Sequence, residues 1–123
     1  MGDREAARAH VAAATAALLP LDIESHRITR TAEAELAAAD GDPATAERIL
    51  RDELARIERS GYCFDIAMLR LSLGELLLTQ GRSADARAEL AKARAFFHDP
   101  LARGWQERID ALLARADTQS VRR

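Results

Sequence analysis

Three histidines, His10, His26 and His98, and one cysteine, Cys63, are the residues in this chain best suited to metal ligation or nucleophilic chemistry. No two of the histidines stand at H-x-x-x-H or H-E-x-x-H spacing, which would set two ligands on one helical face, so no metal site is expected. Cys63 opens a predicted helix, where the positive dipole end favours a thiolate; the reading preferred is a small buried hydrophobe. Glu33/Glu35 and Asp52/Glu53 are carboxylate pairs, but arginines flank them, as on an ordinary solvated helix face. No nucleophile comes with a base. The expectation is therefore a protein that is not an enzyme, with no cofactor and no metal.

Arg30 and Arg70 are 40 residues apart (70 − 30), and a ladder of such arginines would hold a peptide carboxylate. Asp110 takes the next equivalent position, however, so Arg70 is expected to lie over the leucines of its own helix.

The residues that would have to position any site belong to one domain spanning 1–123, as 123 residues support a single core. Composition is 48% hydrophobic but only 4% aromatic, so the apolar content is mostly alanine and leucine, which favour helix. Net charge is −2 with arginines and acids interspersed, which leaves no basic block for nucleic acid and no polybasic anchor for a membrane. The apolar runs are far shorter than the ~20 residues of a spanning helix. The opening "MGDREAARAH" lacks signal-peptide character, and a single cysteine is compatible with a reducing compartment, so a cytoplasmic location is expected. The final Ser120-Val121-Arg122-Arg123 reads as a frayed end.

A spacing organises the rest. "DGDPATAERIL" (40–50) aligns without a gap on "QGRSADARAEL" (80–90), pairing Gly41 with Gly81, Ala46 with Ala86 and Leu50 with Leu90 at an offset of 40 (81 − 41). Gly41 and Gly81 suit left-handed helix ends, and Asp42-Pro43 and Asp99-Pro100 suit helix starts. About six helices are predicted, near 3–19, 22–40, 43–59, 62–80, 83–98 and 100–116, with a tail at 117–123, no strands, and antiparallel hairpins at 22–59 and 62–98. Apolar stripes run along Ala7, Val11, Ala14 and Leu18; along Ala46, Ile49, Leu50, Leu54 and Ile57; along Ala86, Leu90, Ala93 and Phe97; and along Trp105, Ile109, Leu112, Leu113 and Ala116. Phe97 is expected in the core, with Phe96 covering the junction to the last helix. Small Ala46 and Ala86 would let helices approach closely.

Leu73-Gly74, Gly81, Ala86, Leu90 and Ala93, with a weaker copy at Gly41, Ala46 and Leu50 and a half copy at Leu113-Ala114, give the chain a pattern that resembles the tetratricopeptide repeat. Departures are a 40-residue period where about 34 is usual, Arg70 in place of an aromatic, and Glu33-Ala34 in place of Leu-Gly. "ARAFFHDPLARGWQERIDALLARA" is also similar to helical-repeat regions at the C-terminal end of large bacterial signal-transduction ATPases and transcriptional activators. The resemblance implies an all-α, right-handed solenoid of stacked hairpins that docks or senses rather than catalyses.

Within that frame, "LSLGELLLT" raises the question of what its leucines face. The apolar residues of this helix spread over about 220°, where an ordinary surface helix needs little more than 100°. A central helix with several neighbours would bury much of this width as internal core; by the resemblance, Met68, Leu71, Glu75, Leu78 and Thr79 instead line a concave groove, with Arg30 as a further contact. The expected partner is a peptide, a helix or a second copy of the chain, with no nucleic acid and no membrane. The alternative is a sensory domain of a bacterial regulator that binds a small apolar ligand between helices.

Overall fold

The structure, a computed structural model, describes residues 2–17 and 23–122, with side chains at 3–11 and 23–121. The helices are α1 (Gly2–Ala17), α2 (Ile23–Ala39), α3 (Pro43–Ile57), α4 (Cys63–Thr79), α5 (Ser83–Phe96) and α6 (Arg103–Arg122), with a 3-10 turn at Pro100–Ala102 before the last. The fold is all-α, and no strand occurs among the described residues. Leu18 and Pro20 lie outside those residues, and the side chain of Ala14 is also not described. Of the first stripe, Val11 is half-buried while Ala7 is exposed.

Gly41 and Gly81 end their helices in the same way. Each has positive φ, 83° and 71°, where a side chain would be strained. Gly41 N–H donates to Ala38 O at 3.0 Å and Asp42 N–H to Ala37 O at 2.9 Å; Gly81 and Arg82 donate likewise to Leu78 O and Leu77 O, both at 3.0 Å. These paired bonds satisfy carbonyls that a helix end leaves free. After the first turn, Asp42 accepts from Thr45 N–H at 3.1 Å and Pro43 fills a position whose N–H is not needed. Gly61, also at positive φ (84°), sits midway between the other two.

The leucine helix is the centre of the core. α4 packs against α3 and α5 and also touches α2 and α6. Leu69, Leu71, Leu73, Leu76, Leu77 and Leu78 are accordingly all buried. On one side the approach is very close: a Cβ on Gly74 would lie 2.6 Å from Leu90 Cγ and Cδ2. The stripes of α3 and α5 are buried as read, with Ala46 at 1% and Ala86 at 0% exposure.

Polar side chains join the helices as well. Arg27 of α2, itself buried, donates Nε–H to Asp65 Oδ1 of α4 at 2.6 Å. Arg70 does not merely lie along its own leucines, since its Nη1 donates to Glu89 Oε2 of α5 at 2.9 Å. The expected tail is a correction: α6 continues to Arg122 because α4 and α5 hold it there. Gln119 Nε2 donates to Leu78 O at 3.0 Å, and Arg87 pairs with Asp117. Of the two phenylalanines, Phe97 is core as expected and Phe96 differs from expectation. Buried Phe97 stacks on Trp105 of α6 at 5.6 Å between ring centroids, whereas Phe96 packs edge-on against Phe64 of α4 at 6.3 Å.

Candidate functional site

α2, α4 and α6 run side by side in the same direction. The chain shows this by its cross-links: Arg27 near the start of α2 meets Asp65 near the start of α4, and Gln119 late in α6 meets Leu78 late in α4. A surface groove of about 270 Å³ lies along these three helices. Thr31, Glu35 and Ala38 of α2 form one wall, at i, i+4 and i+7 on a single face. Ser72, Glu75 and Thr79 of α4 stand opposite at i, i+3 and i+7, and Arg108 of α6 closes the far side. Ala34, Leu76 and, from α3 below, Ala46 and Leu50 complete the lining.

The floor is apolar and the rim is polar. Thr79 Oγ1 donates to Leu76 O at 2.6 Å, so its hydroxyl is already used within the helix. Arg108 Nη2 donates to Glu75 Oε1 at 2.7 Å, and its guanidinium lies 5.6 Å from the Trp105 ring centroid. Glu35 is exposed and makes no ion pair or hydrogen bond with the described residues.

Of the residues expected at the groove, Glu75 and Thr79 line it. Met68, half-buried, lies one turn before Ser72 on the same helix. Leu71 and Leu78 are a correction: at 1% and 2% exposure they are core. They lie about 20° apart on α4 and within about 60° of Gly74, whose face meets Leu90 of α5. Arg30 pairs with Glu33 one turn along its own helix and is not part of the groove lining. The whole α2 wall was missed. Its signal, Thr31-Glu35-Ala38 at helical spacing, is present in the sequence but looks like any polar helix face.

The histidines are dispersed. His10 and His98 are exposed on α1 and after α5, while His26 reaches Glu53 Oε2 of α3 from Nδ1 at 2.9 Å. Glu53 is 2% exposed and also accepts from Arg56 Nη2 at 2.7 Å. Arg56 Nη2 stands 3.0 Å from the same Nδ1. One ring nitrogen cannot donate to the carboxylate and accept from the guanidinium together, so a bond to Glu53 requires the proton on Nδ1. Burial disfavours ionisation of Glu53, but hydrogen bonds from Arg56 and His26 outweigh it and hold the carboxyl below its ordinary value. Cys63 is exposed and free. No group of three or more histidine, cysteine or acidic side chains is arranged to hold a metal among the described residues. Among the described residues no helix is long and apolar enough to cross a membrane.

No family model matches. Neither a curated protein nor a solved structure shows significant similarity to the chain. The groove is an open trough with an apolar floor and a polar rim.

Proposed function

We propose that the chain is a short, right-handed, tetratricopeptide-like solenoid and that it acts without catalysis as a docking module for another polypeptide. The observation that carries this reading is the groove itself: alanines and leucines at its base, glutamates and hydroxyls at its edge, presented by three parallel helices. Apolar floors with polar rims are the common anatomy of sites for protein segments. The matching turns at Gly41 and Gly81, and the two buried alanines that follow each by five residues (46 − 41 and 86 − 81), support the solenoid reading.

Peptides selected from a displayed library on the immobilised protein test the proposal. Ala38→Trp fills the groove from its half-buried rim, while Ala55→Trp adds the same bulk to the exposed face of α3. Selected peptides are expected to lose Ala38→Trp and retain Ala55→Trp. Equal binding to both variants, or a selection that yields no binder, overturns the reading.

A further inference from the structure

The groove does not end at its lining residues. Ile28 precedes Glu35 by seven residues (35 − 28), so both project from one face of α2, about 10 Å apart along the axis. Ile28 is 53% exposed. Phe64, 44% exposed, stands at the corresponding end of α4, one turn before Met68, and Arg27 Cζ lies 5.8 Å from its ring centroid, so the two helix starts adjoin. Leu101, 96% exposed, precedes α6. The starts of α2 and α4 thus carry large, partly exposed apolar side chains, Phe64 beside its edge contacts with Phe96 and Phe97, whereas the groove beyond them carries charge.

That charge is unbalanced. Of the three ionisable residues in the lining, Glu75 and Arg108 neutralise each other, and Glu35 has no partner among the described residues. Glu24 is exposed one turn before Ile28 on the same face and extends the acidic wall. Arg115, seven residues beyond Arg108 (115 − 108), lies outside the lining.

We propose that the occupant of the groove is a basic amphipathic segment of another protein, with a large apolar side chain seated against Ile28 and Phe64 and a lysine or arginine meeting Glu35 about two helical turns away. The inference rests on the docking function proposed above and adds the chemistry of the partner. An acidic segment would set like charge against Glu35, and a purely apolar one would cover the carboxylate without pairing it.

Fluorescence anisotropy with a labelled leucine/lysine amphipathic peptide and its leucine/glutamate counterpart tests it. The lysine peptide is expected to bind about tenfold more tightly at low salt, with the advantage shrinking as salt is raised. Glu35→Lys, at an exposed position, is expected to remove that advantage with the helical circular dichroism unchanged. Asp52→Lys, exposed on α3 and outside the groove, is expected to preserve it. Equal binding of both peptides, unaffected by Glu35→Lys, overturns the basic partner and leaves groove docking standing. Loss of the advantage in Asp52→Lys as well overturns it too, as a general charge effect. Binding of neither peptide overturns both proposals. A wild-type dimer by sedimentation that Glu35→Lys dissociates identifies a second copy as the occupant and overturns the foreign segment.

Discussion

The α2–α3 hairpin and the α4–α5 hairpin share their turn and their spacing but not their means of cohesion. At the offset of 40, His26 stands where the second hairpin has Ile66, Glu53 where it has Ala93, and Ala34 where it has Gly74. The first pair of helices is therefore joined by a carboxylate that accepts from His26 and Arg56. At the equivalent positions the second has apolar contact, with Gly74 seated on Leu90 and Ala93 fully buried, and its own ion pair, Arg70 to Glu89, lies elsewhere along the helices. One backbone plan accepts either solution. At these positions they differ in what disturbs them: acid and loss of a partner act on Glu53, and changes of volume act on Gly74 and Ala93.

The largest effect that would sharpen this contrast is a charge in the apolar half. Leu71→Glu and Leu78→Glu place a carboxylate at sites as dry as Leu73, which is 0% exposed. Each, like Leu73→Glu, is expected to abolish the cooperative thermal transition, a loss of more than about 4 kcal/mol. A folded, melting Leu71→Glu would return that leucine to the groove.

Next comes the polar half. Glu53→Ala leaves His26 and Arg56 without their acceptor and is expected to cost about 1.5–3 kcal/mol by chemical denaturation. The wild type carries a matching pH signature. Because the folded-state carboxyl is depressed, its contribution is present above the ordinary glutamate range and is lost as pH falls through the lower folded value. Glu53→Ala should therefore flatten the acid limb of stability against pH. An unchanged acid limb would break the contrast between the hairpins.

Volume is the test of the second hairpin. Ala86→Leu is expected to overpack the 0%-exposed site and cost about 1–3 kcal/mol, while Ala88→Leu on the exposed face of α5 stays nearly silent. Equal thermal shifts for the two would contradict the packing described.

The smallest effects come from two helical glycines with opposite surroundings. Gly104→Ala in α6 meets nothing within 4 Å and is expected to stabilise by about 0.5–1 kcal/mol through the unfolded chain. At Gly74 the same change drives a methyl into Leu90, so the expected sign reverses. Calorimetric melts of the two variants separate the outcomes.

The amino-acid sequence by itself determined the helices and their breaks. Glycine is needed where φ turns positive, proline tolerates a helix start, and apolar residues at helical spacing define α3, α5 and most of α6, all from interactions within a few residues. Tertiary structure decided everything that depends on which helix covers which face. Leu71 and Leu78 are dry because they flank Gly74 on the face of α4 that meets Leu90 of α5. α6 runs through the expected tail, where Gln119 reaches Leu78 O at a separation of 41. The groove wall of Thr31, Glu35 and Ala38 took its meaning only from α4 beside it, and Glu53 met His26 across 27 residues. A helical pattern states which residues share a face; burial is a property of the neighbour that covers the face, and no local spacing encodes it.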